Sequence, residues 1–167
     1  MAKVSFLPYG IEVHRALSAR GLAPTLLGYS QILVIGADVV VMEYLAPPTA
    51  ERSGWSTLHD FYSDHAELVR EKKDAIWEQL TMIVSTLKDL SFVHGDLRSN
   101  NLMIHVTQDA IVVPVTVKAI DMEWAGEVGV ACYPEDRNNA AGFPGEEAGL
   151  IGPEDDEYMV KCWLNDL

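Results

Sequence analysis

Apolar residues recur along the chain with two different spacings, which separate helical from extended segments. Residues 10–20 carry three apolar side chains near one face of a predicted short helix, and a glycine and a proline beyond them end it. Two apolar runs over 26–35 and 38–44 predict a β-hairpin with a glycine in its turn. Prolines 47–48 break this pattern, and a new helix is predicted to begin near Ser56.

The second half of the chain contains a longer helix and then another hairpin. Residues 73–89 carry large apolar side chains at steps of four and three, which is typical of a core helix; the stripe consists of Ile76, Leu80, Ile83, Leu87 and Leu90. Residues 102–105 and 112–120 predict the hairpin, and 127–153 predict mainly loop. A final helix is predicted behind Pro153, with acids in its first turn. The order of elements predicts an α+β fold.

The proline-rich stretch sets the predicted division of the chain. Residues 1–45 would form a small part with one helix and strands, and residues 46–167 a larger and mostly helical part. A chain of 167 residues that is 49% hydrophobic is long enough for one domain core and short for two. We therefore expect one domain with two unequal parts.

The charge balance changes which partners are expected. Twelve basic and 25 acidic side chains give a formal net charge of -13, and no run of Lys or Arg is present. Such a chain repels a phosphate backbone, so we expect no nucleic acid partner. Nucleotide phosphates remain compatible with it, because carboxylates recruit a magnesium ion that reverses the local field.

The cysteines and the apolar runs give an expected location. Cys132 and Cys162 lack the spacing of a zinc site or a disulfide framework, which fits a reducing compartment. The N-terminus lacks the apolar core of a secretory signal, and the runs 32–35 and 39–42 are far too short to span a membrane. We expect a soluble, cytoplasmic protein without a membrane partner.

One polar stretch between two apolar runs carries the candidate chemistry. In FVHGDLRSNNLMI, residues 92–104, the apolar ends predict strands, so the polar centre forms a tight loop at the edge of the core. Its residues 94–101 fit H-x-D-x-x-x-x-N. Further on, IDMEWAG at 120–126 follows a predicted strand, and VVMEYL at 40–45 ends an earlier one. Taken in their order along the chain, 40–45, 94–101 and 120–126, the three motifs resemble those of the protein kinase-like superfamily, which includes the aminoglycoside and choline phosphotransferases.

The resemblance implies a kinase-like fold, with residues 46–167 as a mostly helical C-lobe and residues 1–45 as a partial, truncated β N-lobe. It also implies ATP and Mg²⁺ as cofactors and a hydroxyl acceptor, either a small molecule or a protein. Asp96 would orient the acceptor hydroxyl, and Asn101 with Asp121 would bind magnesium. Arg98 would steady the phosphoryl group, or it would simply pair with a carboxylate.

The resemblance further implies a nucleotide site. Adenine would lie near Met42 and hydrogen-bond the backbone of Glu43 and Leu45. Lys3 would hold the phosphates and pair with Glu12, at the start of the first helix. The alternative for that pair is a solvated lysine and a first-turn helix acid.

Two functions remain open from the sequence. No G-x-G-x-x-G motif is present to cover the phosphates, so the phosphates would be exposed to water. The first function is an ATP-dependent phosphotransferase that uses the residues named above. The second is a pseudokinase, a binding or scaffold module that keeps the loop as structure and offers another surface, such as the acidic segment 127–157.

Overall fold

The computed structural model describes residues 1–138 and 142–165. In these residues the α-helices are α1 (Ile11–Ser18), α2 (Leu58–Glu71), α3 (Lys73–Asp89) and α4 (Pro153–Asn165). The strands are β1 (Ala2–Ser5), β2 (Leu26–Ile32), β3 (Ala37–Met42), β4 (Gly54–Thr57), β5 (Phe92–Val93), β6 (Leu102–Val106), β7 (Val117–Ala119) and β8 (Gly126–Glu127). The predicted α+β composition is confirmed, and none of the described helices is long and apolar enough to cross a membrane.

The first sheet contains the predicted N-terminal hairpin. Its strand order is β1-β3-β2, and every neighbouring pair is antiparallel. Lys3 on β1 and Tyr29 on β2 both lie opposite Val40 on the central strand. Helix α1 contacts β2, and its buried residues are Val13, His14 and Leu17. The sheet therefore has one face toward the core, and Lys3 lies on an edge strand.

The second sheet contains a strand that the sequence pattern did not predict. Its order is β4-β6-β7, and Gly54 to Thr57 pair with Val106 to Met103. A side chain at position 54 would lie 2.5 Å from the Ala46 carbonyl oxygen. β4 is four residues long, begins with a glycine and follows the proline-rich stretch, so the local sequence does not indicate a strand. Its long-range pairing with β6 defines it.

The predicted strand 112–120 is too long. β7 covers only Val117–Ala119, and before it only Ile111 makes an isolated bridge, to Val106. Pro114 explains the difference, because proline has no N–H to donate to a ladder and is excluded from paired positions.

The long helix is confirmed with the predicted bounds. α3 covers Lys73–Asp89, and four of the five stripe residues are almost fully buried; Leu90 follows the helix and is 37% exposed. The predicted start of α2 is also confirmed, because the Thr57 hydroxyl accepts a hydrogen bond from the Asp60 N–H at 3.0 Å. α4 contacts both α3 and β5, so the C-terminal helix lies close to the polar loop that follows β5.

Candidate active site

The backbone of the polar loop is held by an acid from the last helix. The N–H groups of His94 and Gly95 donate to the two carboxylate oxygens of Asp156, at 2.7 and 2.8 Å. Asp156 is only 2% exposed, and this burial raises the pKa of its carboxyl group against the opposing effect of the two backbone N–H donors. Gly95 has a φ of +79°, a conformation that favours glycine. The loop is thus fixed by a residue 61 positions away from Gly95.

The ring of His94 connects two of the predicted motifs. Its Nδ1 accepts the Asp96 N–H at 3.3 Å, and its Nε2 lies 3.0 Å from the Ile120 carbonyl oxygen. Because a carbonyl can only accept, we assign the proton to Nε2. The Ile120 N–H donates to the Asn101 carbonyl at 2.9 Å. His94 therefore serves as a structural strut that holds the loop against the end of the β7 segment.

Asp96 is the one carboxylate of the stretch 92–104, and it is almost buried. It is 7% exposed, and both of its oxygens accept from Arg98, with 2.8 Å between Nη2 and Oδ2. The side-chain amide of Asn101 also donates to Oδ2 at 2.8 Å. Arg98 lies over the ring of Phe143, with 5.1 Å from its guanidinium carbon to the ring centre. The structure thus brings Asp96, Arg98 and Asn101 together, and Arg98 forms an ion pair with the Asp96 carboxylate.

Asp121 lies two residues after the end of β7 and has an uncommon backbone conformation. Its φ is +66°, a region in which residues other than glycine are uncommon, although Asp is among the more tolerant. The Lys3 ammonium lies 2.5 Å from Asp121 Oδ1 and 2.9 Å from Glu123 Oε1. Partial burial lowers the pKa of Lys3, but the hydrogen bonds and charges of the two acids outweigh it and raise that pKa overall.

The expected pair between Lys3 and Glu12 is wrong. The Glu12 carboxylate pairs with Arg15 on the exposed side of α1, and 63% of its side chain is exposed. The reason is the phase of the helix, because Val13 and Leu17 face the core and residue 12 then points outward at 100° per residue. Glu12 is thus the one predicted nucleotide residue that the described structure leaves outside the site.

The other predicted nucleotide residues line one cavity of about 290 Å³. Lys3 and Asp121 lie on it together with Met42, Glu43 and Leu45; the remaining lining residues are Met1, Tyr9, Pro24, Tyr44, Met103 and Ile120. The lining is mostly apolar with three charged side chains, those of Lys3, Glu43 and Asp121, and such a lining is typical of small-molecule sites.

The backbone on one wall of this cavity offers two hydrogen-bonding groups. The Glu43 N–H donates to the Thr25 carbonyl at 2.8 Å. Within the described residues, the Glu43 carbonyl and the Leu45 N–H make no hydrogen bond. The Glu43 side chain accepts from Lys118 at 2.8 Å; partial burial raises the pKa of its carboxyl group, but Lys118 and Thr25 lower it more, so the net shift is downward. Of the expected Glu43 backbone contacts, only the carbonyl is thus available.

The residues predicted for magnesium fit that ion by their chemistry. The Asn101 amide nitrogen donates to Asp96, so the amide oxygen remains for a metal, and Asp121 adds a carboxylate. The Asn101 backbone bonds Ile120, the neighbour of Asp121, which brings the two positions together. In the described part of the chain, no group of three or more His, Cys, Asp or Glu forms a metal site. A magnesium ion here would take its other ligands from phosphates and water, as is usual for this ion.

Two residues of the site were missed by the sequence reasoning. From the sequence, Asp156 is only one of several acids in the first turn of a predicted helix, and Glu123 is assigned no role. For Asp156 the sequence contains no local signal, because its partners lie near residue 95. For Glu123 a signal exists, since it follows Asp121 by two residues in the same motif.

Comparison with known proteins agrees with this arrangement. A model described as the "Lipopolysaccharide kinase (Kdo/WaaP) family" matches residues 40–127, which is more than half of the chain. Among solved structures, the chain is similar to the kinase PK-1 of the Cydia pomonella granulovirus, with a TM-score of 0.61 and 16% sequence identity. The match covers 99% of this chain and 57% of the viral kinase, so the chain spans little more than half of that structure. The search of curated proteins returned no match. At this identity the structural likeness shows the fold alone, and it confirms the predicted kinase-like fold.

Proposed function

The chain belongs to the lipopolysaccharide kinase (Kdo/WaaP) family, and we propose that it transfers the γ-phosphoryl group of ATP to a hydroxyl group of an acceptor. One observation carries the proposal: three distant segments, represented by Lys3, Glu43 and Asp121, line the same cavity. Each offers a chemical group that ATP requires, namely a cation for phosphates, backbone hydrogen bonds for adenine and a metal-binding carboxylate.

The nucleotide would be held at both ends of this cavity. Adenine would donate its amino group to the Glu43 carbonyl and accept from the Leu45 N–H, beside the apolar side chain of Met42. The phosphates would lie near Lys3 and Asp121, with Mg²⁺ between Asn101 and Asp121. The ion would supply charge neutralisation for the phosphate oxygens.

The transfer step would use Asp96 as an orienting group. The acceptor oxygen attacks the γ-phosphorus while the bond from that phosphorus to the β,γ-bridging oxygen breaks, and ADP leaves with the bond electrons. The proton of the acceptor hydroxyl passes to the Asp96 carboxylate. Phosphoryl transfer depends mainly on alignment, and so a carboxylate already bonded to Arg98 and Asn101 is suited to this task. Arg98 would also place positive charge beside the reacting phosphoryl group.

The family description supports a proposal for the acceptor class, and the use of ATP supports one for the location. The family description names lipopolysaccharide, so a sugar hydroxyl is the first acceptor class to test. We place the protein in the cytoplasm, where ATP is available. Small molecules and protein hydroxyls remain the other acceptors to be tested.

Calorimetric titration of the purified 167-residue chain with ATP tests the proposal, with and without Mg²⁺. We expect magnesium-dependent binding, and we expect Asp121→Asn to lose the magnesium dependence. Asp109→Asn, an exposed aspartate in the turn after β6, is the matched control and should bind as the unchanged chain does.

Absence of binding up to millimolar ATP would overturn the proposal. The remaining function would then be a binding module without transfer. The contact between Lys3 and Asp121 favours this second function, because it neutralises the carboxylate without any metal.

A further inference from the structure

Lys3 lies between two carboxylates that come from one short segment. Its ammonium group contacts Asp121 at 2.5 Å and Glu123 at 2.9 Å, and about a quarter of the lysine and Glu123 side chains is exposed. Ion pairs that are this accessible to water contribute little to stability, so Lys3 can exchange one carboxylate partner for another at small cost. The lysine therefore has two anionic partners, one of which is a candidate metal ligand.

The two carboxylates have different roles when a nucleotide is bound. Asp121 has to serve the metal ion, and a lysine that relies on Asp121 alone would compete with that ion. Glu123 has no such second task in the proposed site. It can keep the ammonium group near the phosphates after Asp121 has turned to the metal.

We propose that Glu123 is the positioning residue of the phosphate-binding Lys3, in the place that Glu12 does not fill. The inference rests on the proposed function, since it assigns Lys3 to the phosphates. Glu123 would touch neither phosphate nor acceptor and would act only through the lysine.

The backbone around Glu123 is fixed well enough for this role. The Gly10 N–H donates to the Met122 carbonyl at 2.8 Å. A side chain at Gly10 would lie 2.5 Å from the Ala125 carbonyl oxygen, so the two backbones are in close contact there. The start of α1 thus holds the segment on both sides of Glu123, while the same helix turns Glu12 to the solvent.

A double-mutant cycle without nucleotide tests the pair itself. Urea unfolding is measured for the unchanged chain, Lys3→Met, Glu123→Gln and the double variant. We expect a coupling of about two- to fivefold in the unfolding equilibrium constant, as for partly exposed ion pairs. The matched cycle of Lys3→Met with Glu12→Gln should show no coupling. Coupling to Glu12 and none to Glu123 would overturn the inference.

Titration with Mg-ATP then tests the positioning role. We expect Glu123→Gln to weaken ATP binding about fivefold and to raise the Mg²⁺ concentration needed for half-maximal binding, since Lys3 would then compete for Asp121. Glu127→Gln, an exposed acid on β8, is the control. If the unchanged chain binds Mg-ATP and Glu123→Gln binds it equally well, the inference is wrong while the proposed function stands. If the unchanged chain does not bind, the proposed function fails first, and the unfolding cycle still decides whether the pair exists.

Discussion

The polar loop, residues 94–101, and the nucleotide wall, by which we mean the charged cavity residues Lys3, Glu43 and Asp121, are built in different ways, although they meet in one site. The loop depends on buried contacts: His94, Asp96 and Asp156 are each less than a tenth exposed, and backbone groups are among their partners. The wall depends on ion pairs of Lys3 and Glu43 that are accessible to water. Buried polar groups are costly to leave unpaired, whereas exposed ion pairs contribute little.

We therefore expect the polar loop to be rigid and the nucleotide wall to rearrange when a ligand binds. We expect the loop to keep its geometry whether or not a ligand is present, because its buried polar groups would lose hydrogen bonds if they moved. The wall can change partners at small cost, as Lys3 must if phosphates and metal enter. Substitutions in the two regions should therefore differ strongly in their effect on stability.

Asp156→Ala should give the largest loss. It leaves the N–H groups of His94 and Gly95 buried without an acceptor, at a cost of about 3 kcal/mol in the free energy of unfolding. Urea unfolding measures this change. Glu154→Gln, an exposed acid in the same helix turn, should stay within about 0.5 kcal/mol. An equally small loss for Asp156→Ala would mean that the loop does not depend on α4.

Gly95→Ala should follow, with a loss of about 2 kcal/mol or more. Gly95 has a positive φ, and an added Cβ would lie 2.6 Å from Ile151 Cδ1 and 3.3 Å from Trp124 Cβ. Gly21→Ala is the matched control, because Gly21 has a similar φ of +73° and nothing within 4 Å of the added atom. Thermal unfolding should separate the two variants. Equal losses would show that only the backbone conformation matters at Gly95.

Lys3→Met should cost less than about 1 kcal/mol in stability, although it removes two ion-pair contacts. Water screens the pairs, and methionine keeps most of the apolar contact of the lysine stem. The same urea experiment applies, with Lys161→Met, which removes an exposed pair to Glu157, as control. A loss comparable to that of Asp156→Ala would remove the contrast between the two regions.

Glu43→Gln should have the smallest effect, visible as a change in pH dependence. The pKa of Glu43 is lowered in the folded chain, so its contribution is fully present above the ordinary glutamate pKa and is lost as the pH falls through the folded value. We expect the free energy of unfolding, measured in urea from pH 7 to pH 3, to fall slightly more for the unchanged chain than for the variant, by about 0.5 kcal/mol at most. Parallel pH profiles would show that the pair with Lys118 contributes nothing.

Local patterns predicted the elements with strong periodicity. The stripe of α3 and the start of α2 near Ser56 could both be predicted, because each depends on residues within a few positions. The failures have identifiable causes: β4 is short and defined by a distant partner, and Pro114 shortens the strand expected before Val117. The helix phase by itself indicates the exposed position of Glu12, and the structure agrees with the alternative of a first-turn helix acid.

The sequence by itself determined the types of chemical group in the site and their order, since the motifs at 40–45, 94–101 and 120–126 specify them directly. Only the tertiary structure decided which groups are partners. It placed Asp156 under the loop backbone and Glu123 rather than Glu12 beside Lys3. The physical reason is that burial and pairing depend on where distant segments meet. The sequence around a carboxylate does not indicate which distant donor will hydrogen-bond to it in the fold.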